Sequence, residues 1–367
     1  MYTSNWQHFD FWLLGAVAIL TILGIAMINS TVAGNIELTE ANLPQRQLIF
    51  AVAGFVVIFL VSAIDYHLWS SISGPMYLLT AIFLGALTIA GQALYGSARW
   101  FDTGVILIQP SELAKIVVIL VLADFFTRYQ AKIGDLRWIG LSLLYTLGIV
   151  IWIVLQPNLS TSIVIIVLWF ALLWAAGLKI KHLILFALMG LIAPIAGFPF
   201  LEEYQQRRII NFILPDPNAR HGDTYNIEQA LISIGSGGLL GQGYGFGTQV
   251  QLRFLKVRWS DFIFSAMAEE FGFVGVLIVM ALLLFVVYRC LRAARLSRDT
   301  YGALICYGVA TLLAFQGIVN IGVNLKLLPA TGLPLPFISY GGSSLLSLLL
   351  GIGLVESVIL RHKSLEF

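Results

Sequence analysis

Apolar residues in this chain gather in uninterrupted blocks of about 17 to 26 residues instead of alternating with polar ones. A helix rises about 1.5 Å per residue, so about 20 apolar residues cross the hydrocarbon of a bilayer. Ten blocks meet that description: 11–29, 47–64, 76–94, 111–127, 139–155, 161–177, 183–201, 263–288, 301–323 and 340–360. The pattern predicts an all-α polytopic membrane protein with ten transmembrane helices over 1–367 and a large extracytoplasmic loop, 202–262, between spans seven and eight. The first block has neither a basic flank nor a cleavage pattern, so it reads as a span and not as a removable signal.

Within 202–262 the period changes. Ile227, Ala230, Leu231 and Ile234 fall at i, i+3, i+4 and i+7, the stripe of an amphipathic helix lying along the membrane surface, which Gly235-Ser236-Gly237-Gly238 ends. Upstream, Ile209, Ile210, Phe212 and Ile213 beside Arg207 and Arg208 predict that the seventh span continues as a partly exposed helix until Pro215 and Pro217 stop it.

Composition agrees with a chain that lives mostly in lipid: 59% of its 367 residues are hydrophobic and 11% charged, against about a quarter charged in ordinary soluble domains. The net charge of +2 is too balanced to indicate nucleic-acid binding, so the distribution of charge matters more than its sum. Arg128, Lys132, Arg137, Lys179, Lys181, Arg289, Arg292, Arg295, Arg298, Arg361 and Lys363 fall on the side of the N-terminus, whereas the short loops opposite hold Arg46, Arg99 and Lys326. Basic residues in short connections mark the cytoplasmic side, so both termini are expected there and 202–262 faces outward. Cys290 and Cys306 lie in apolar runs and imply neither a disulfide framework nor a metal site.

A few polar residues do not fit the membrane pattern. Asp261 opens the apolar run Phe262-Ile263-Phe264; it reads either as a helix N-cap or as a boundary carboxylate able to serve as a base or metal ligand. Glu269 and Glu270 follow inside what should be one continuous span, where a carboxylate costs about 2.5 to 3.5 kcal/mol to insert, so they are expected to face a wet cavity or lie above the bilayer. Gln109-Pro110-Ser111-Glu112-Leu113-Ala114-Lys115 reads as a helix start with an ion pair one turn apart, or as charges lining a cavity reached from outside. The apolar stretch 327–344 contains three prolines that forbid a regular helix, and irregular backbone at membrane depth is tolerated only when buried in protein or lining water. Gly241-Gln242-Gly243-Tyr244-Gly245-Phe246-Gly247 lacks the strand and lysine of a phosphate loop and reads as a flexible turn, and the five histidines show no metal-ligand spacing.

Together these motifs resemble the SEDS family. Gly96-Ser97-Ala98-Arg99-Trp100, then 109–115, Gln156-Pro157-Asn158-Leu159, Ile234 to Leu239, Ser260-Asp261-Phe262-Ile263-Phe264 with Ala268-Glu269-Glu270, and the final Pro-rich stretch occur in the family's order over nearly the whole chain. The short N-terminal tail and the wording of 328–334 favour the family's elongation branch over its division branch. The resemblance implies a ten-helix fold, similar in outline to O-antigen ligases and GT-C-like enzymes. It also implies an inverting glycosyltransferase that polymerises lipid II into β-1,4-linked glycan outside the membrane during cell elongation, releasing undecaprenyl pyrophosphate. It places the family's essential aspartate on Asp261, its Glu and Lys on Glu112 and Lys115, and an outer-face basic site on Arg46. It further implies a class B penicillin-binding protein that supplies transpeptidation, and other elongation-complex membrane proteins, as partners. Asn158 and Ser160 depart from the family's usual Asp and Gly, and Lys326 from its frequent Gly.

Such a reaction needs a base near the attacking hydroxyl and positive charge near the pyrophosphate. Asp261 is the expected base or the ligand of a divalent cation, Mg2+ or Mn2+, with no organic cofactor called for; Glu112, Lys115, Glu269 and Glu270 are the expected cavity residues. Arg46, Arg99, Arg207 and Arg208, and Lys115, are candidates for the pyrophosphate. The rival readings are a flippase or transporter for lipid-linked precursors, which ten spans with intramembrane charges also suit, and a scaffold that only recruits a synthase.

Overall fold

The computed structural model describes residues 6–33, 42–95, 101–102, 107–214 and 222–361. Each apolar block forms a helix: α1 (Phe11–Val32), α2 (Leu43–Ala63), α3 (Ser73–Tyr95), α4 (Pro110–Arg128), α5 (Leu136–Leu155), α6 (Leu159–Ala175), α7 (Ile180–Gly197), α10 (Ile263–Leu296), α11 (Thr300–Asn324) and α12 (Gly342–Ile359). Between α7 and α10 lie α8 (Glu203–Ile213) and α9 (Asp223–Ser236). The departure from helix is a two-residue antiparallel ladder, β1 (Phe101–Asp102) with β2 (Leu107–Ile108), ahead of α4. By length and composition six helices, α1, α2, α5, α10, α11 and α12, can cross a membrane; the apolar parts of α3, α6 and α7 are shorter, and α4 carries Glu112, Lys115, Asp124 and Arg128. The chain is a multi-pass membrane protein.

The helices begin where short polar side chains satisfy the first amides. Asp10 accepts from the Leu13 amide, Asn158 from Thr161 and Asp299 from Gly302, while Pro44 and Pro110 open α2 and α4. α12 packs along α2, and α11 lies against α4, α6, α10 and α12. The most apolar window of α12 is 83% buried and that of α10 only 22%, so α12 is an inner helix and α10 turns its flank to lipid. At the basic end of the bundle Arg289 pairs with Asp10, and Arg361 donates to the last carbonyls of α2, Ser62 and Ala63.

Four expectations are corrected, the last two together. α7 does not continue into α8: the chain turns through a 3-10 segment, Phe198–Phe200, at Pro199, and α8 starts afresh at a capping box in which the Glu202 and Gln205 side chains satisfy each other's backbone amides. Pro215 and Pro217 lie outside the described residues. Secondly, the stripe of α9 faces the protein, since Ile227 and Ala230 are buried where α9 packs on α10.

The third concerns 263–288, which is not one continuous helix. Gly272 sits at φ +67° and interrupts α10, and the backbone groups this releases are taken up by the glycine-rich segment. The Gln242 and Gly243 amides donate to the Glu269 and Glu270 carbonyls at 2.9 and 3.0 Å, while the Phe273 and Val274 amides donate to the Gly238 and Leu239 carbonyls at 2.9 and 3.1 Å. The stretch 241–247 is therefore a pinned partner of the break and not a flexible turn. A Cβ on Gly272 would fall 2.3 Å from the Gly241 nitrogen. Gly272→Ala is expected to lower stability by at least the roughly 1–3 kcal/mol of a forced left-handed residue, read as thermal melting in detergent. Gly235→Ala, whose Cβ meets open space, is expected to melt no lower than the wild type.

Candidate functional site

The ends of several helices converge on one cavity of about 410 Å³ lined by both polar and apolar groups. Its walls come from the start of α4 (Gln109, Glu112), the turn between α5 and α6 (157–161), α8 (Tyr204, Arg208), the residues just ahead of α10 (Ser260, Asp261), and the loop from α11 to α12. That loop is non-helical and its residues 335–339 are buried, as three prolines in an apolar stretch predict.

Asp261 is not an N-cap. The cap position of α10 is Phe262, with no side-chain bond, and the Ser265 amide is instead satisfied by Asn324 Oδ1 on α11 at 3.2 Å. The backbone before the helix is held carbonyl by carbonyl. Trp259 O accepts from the Tyr340 amide at 2.9 Å, Ser260 O from Ser339 Oγ at 2.7 Å, and Asp261 O from both Asn320 and Asn324 Nδ2 at 3.1 and 3.0 Å. The Asp261 side chain is left on the cavity wall, where its Oδ1 accepts from Ser260 Oγ at 2.9 Å and a Cβ on Gly332 would lie 3.6 Å from its Oδ2.

Glu112 and Lys115 satisfy both readings of their motif. Lys115 Nζ donates to Glu112 Oε2 at 2.7 Å, with the lysine fully buried, while Glu112 lines the cavity. Lys115 is thus the counter-charge behind the wall and not a ligand in the cavity. The start of α4 is tied to α12 by the Gln109 amide donating to Ser343 Oγ at 3.0 Å.

The predicted arginines divide. Arg208 lines the cavity, reaching the Ala330 carbonyl at 3.5 Å and stacking over Tyr204. Arg46 is exposed at the rim and bonded to the Tyr340 side chain, whose ring lines the cavity, while the neighbouring Gln47 bridges Ser339 O and the Gly341 amide. Arg207, one residue from Arg208 and so about 100° around the helix, turns outward to Glu203 at 3.2 Å. Arg99, with the rest of 96–100, lies outside the described residues.

Glu269 and Glu270 are not part of the cavity, which corrects their expected role. Glu269 Oε1 accepts from the Gln249 amide at 2.8 Å and Thr248 Oγ1 at 3.2 Å, and Glu270 Oε1 accepts from Ser30 Oγ at 2.5 Å and from the Gly245 amide. They are buried braces for the loop at the Gly272 break.

Sequence reasoning noted the motif at 156–159 without placing the turn 157–161 at the site, and missed Tyr204. The Tyr204 hydroxyl donates to Pro157 O and Ser160 Oγ to Thr331 O, each at 2.5 Å, so α8, the turn and the Pro-rich loop close one side of the cavity. Only the capping box of Glu202 and Gln205 marked the start of α8 in the sequence. Asn158 caps α6 through its Oδ1 at 3.3 Å, and Lys326 stands at φ +57°, where glycine is the unstrained residue.

Removing one partner of a buried ion pair strands the other charge at a cost of about 3–5 kcal/mol, whereas replacing both is far milder. Lys115→Met is therefore expected to destabilise the protein by that amount, and the Glu112→Gln/Lys115→Met double variant to recover most of it, as measured by unfolding in detergent.

Comparison with known proteins places this geometry. The sequence profile of the family described as "Cell cycle protein", FtsW/RodA/SpoVE, matches residues 11–364. The chain is 32% identical to the peptidoglycan glycosyltransferase MrdB of Escherichia coli K12, over 99% of both chains, and 34% identical to a probable peptidoglycan glycosyltransferase FtsW of Geobacter sulfurreducens, over 97% of this chain and 96% of that one. Among solved structures it resembles a chain of a peptidoglycan synthase complex that coordinates polymerization and crosslinking, with a TM-score of 0.79 at 31% identity over 96% of this chain and 97% of that one. It also resembles the rod shape determining protein RodA of Thermus thermophilus, with a TM-score of 0.72 at 30% identity over 98% and 99%. With a profile match spanning nearly its whole length and the family's acidic and Pro-rich motifs meeting in one cavity, the chain belongs to the FtsW/RodA/SpoVE cell cycle protein family.

Proposed function

We propose that the protein is a peptidoglycan glycosyltransferase that polymerises lipid II into β-1,4-linked glycan strands during cell elongation, with Asp261 as the reacting carboxylate. The observation that carries this reading is the convergence of Asp261, Glu112 and Arg208 on one cavity at the end of a membrane bundle. The acceptor's 4-hydroxyl attacks the anomeric carbon of the donor sugar with inversion. A C–O bond forms there as the bond to the pyrophosphate oxygen breaks, and undecaprenyl pyrophosphate leaves. Glu112 is committed to Lys115, so the hydroxyl proton is assigned to Asp261. Arg208 in the cavity and Arg46 at its rim supply positive charge for the leaving pyrophosphate.

The lining carboxylates suit a divalent cation held jointly with substrate. Among the described residues no group of three or more His, Cys, Asp or Glu side chains can cage a metal, but Mg2+ commonly binds through one or two carboxylates together with substrate phosphates. Asp261 would hold such an ion, Mg2+ or Mn2+, which when bound offsets pyrophosphate charge. The basic connections lie at the end of the bundle opposite the cavity, which supports cytoplasmic termini and a cavity open to the outside. The likeness to a synthase complex supports a class B penicillin-binding protein as the crosslinking partner, alongside other membrane proteins of the elongation machinery.

The test is polymerisation of lipid II by purified protein together with its transpeptidase partner. Wild type is expected to make glycan polymer that chelation of divalent cations suppresses and added Mg2+ or Mn2+ restores, while Asp261→Asn makes none. Arg208→Ala is expected to slow the reaction at least tenfold and the outward-facing Arg207→Ala less than twofold. Unchanged polymer from Asp261→Asn would remove Asp261 from the chemistry, and movement of lipid II between leaflets without polymer would replace synthesis by transport.

A further inference from the structure

α11 is an apolar helix whose outer end carries three amides one turn apart, Gln316, Asn320 and Asn324, at most 2% exposed. Burying an amide without partners costs about 1–3 kcal/mol on mutational scales, so a buried amide in a membrane helix calls for a reason. Gln316 has no hydrogen-bond partner for either side-chain atom among the described residues. The other two are engaged, and almost entirely with the residues around Asp261. Asn320 Nδ2 donates to Asp261 O at 3.1 Å and to Leu333 O at 2.8 Å. Asn324 Nδ2 donates to Asp261 O at 3.0 Å and to Asn320 O at 2.9 Å, while its Oδ1 accepts from the Ser265 amide at 3.2 Å and from Ser265 Oγ at 2.6 Å.

We propose that Asn320 and Asn324 are positioning residues that fix the Asp261 main chain at the cavity wall, Asn324 by tying it to the first turn of α10 through Ser265 and Asn320 by locking it to the Pro-rich loop. An aspartate at a helix start ordinarily turns its carboxylate onto the first-turn amides, because nothing else satisfies them. Here Asn324 Oδ1 on the neighbouring helix accepts from one of those amides, that of Ser265, while its Nδ2 holds the Asp261 carbonyl, so α11 fixes both the start of α10 and Asp261 just ahead of it. The main-chain carbonyl of Asp261 is held from two directions, which fixes the Cα and hence the side chain's point of departure. Through Leu333 the same amide of Asn320 joins the two walls that face each other across Asp261. Positional errors near 1 Å at a reacting group are costly in rate, so the effect belongs in turnover and not in substrate affinity.

This inference rests on Asp261 being the reacting carboxylate, and the experiment separates the two. Wild type, Asp261→Asn, Asn320→Leu, Asn324→Leu, Asn324→Asp and Gln316→Leu are assayed as full chains with the transpeptidase partner, on lipid II. The two leucine variants at 320 and 324 keep the volume and lose the donors; each is expected to lower kcat at least tenfold with KM for lipid II within threefold of wild type. Asn324→Asp retains the acceptor for Ser265 and is expected to hold more activity than Asn324→Leu. Gln316→Leu, on the same face without the partners, is expected to polymerise within twofold of wild type. An inactive Asp261→Asn beside fully active Asn320→Leu and Asn324→Leu would overturn the positioning role and leave the reading of Asp261 standing. So would a parallel loss of kcat and rise of KM in all three leucine variants, which marks a structural role of the helix face. An active Asp261→Asn would overturn the reading of Asp261 itself.

Discussion

The controlling constraint in this molecule is that backbone amides and carbonyls at membrane depth must find partners inside the protein, because lipid offers none. A continuous helix meets it within the segment. This chain breaks the rule twice in its C-terminal half, at Gly272 and across 325–341, and the rest of the structure is arranged around satisfying what those breaks release. At Gly272 the partners are backbone: the carbonyls of Gly238 and Leu239 and the amides of Gln242 and Gly243 replace the missing turn. Around 325–341 side chains join the backbone in this, with Gln47, Asn320 and Ser339 bonding loop carbonyls and amides beside main-chain bonds such as the Tyr340 amide on Trp259 O.

That second solution produces the site. Side chains that satisfy the loop also satisfy the segment 259–261, so loop and segment are fastened face to face and the cavity lies where they fail to fill the space between helix ends. Two kinds of polar residue are then distinguishable by what they touch. Ser339, Asn320, Asn324 and Gln47 spend their hydrogen bonds mainly on backbone and hold the elements that form the walls. Asp261, Glu112 and Arg208 put charge on the cavity surface, each where a different element ends. Lys115 belongs to neither group: fully buried behind Glu112, it keeps an anion affordable at the cavity wall without entering the cavity.

Much of this was legible in the sequence. Each apolar block lies on a helix whose ends fall within a few residues of it, except that α10 runs eight residues past its block to Leu296, and six of these helices are long and apolar enough to cross a membrane among the described residues; charges unexplained by orientation pointed to Asp261, Glu112 and Lys115. What failed were statements about direction and partnership. Glu269 and Glu270 carry the same anomaly as Asp261, a carboxylate in an apolar run, but they meet Ser30, Thr248 and two backbone amides, which only tertiary structure brings near. Arg207 and Arg208 are adjacent in sequence, and the turn of one helix residue sends one to solvent and the other into the cavity. The break at Gly272 was hidden because a single glycine in a long apolar run does not by itself announce a positive φ.

The same logic explains which family departures the fold absorbs. Asn in place of Asp at 158 leaves a side-chain oxygen to cap α6, so the turn that lines the cavity keeps its cap with one negative charge fewer at the cavity wall. Ser in place of Gly at 160 adds a hydroxyl that donates to Thr331 O, a new tie between the turn and the Pro-rich loop. Lys at 326 accepts a left-handed backbone at φ +57° immediately after α11, at a cost of about 1–2 kcal/mol relative to glycine. Its turn is held nonetheless, with the Lys326 amide on Val323 O and the Leu327 amide on Gly322 O. The departures therefore change charge and tethering at the rim while leaving the anchoring of Asp261, which depends on α11 and the loop, unaltered.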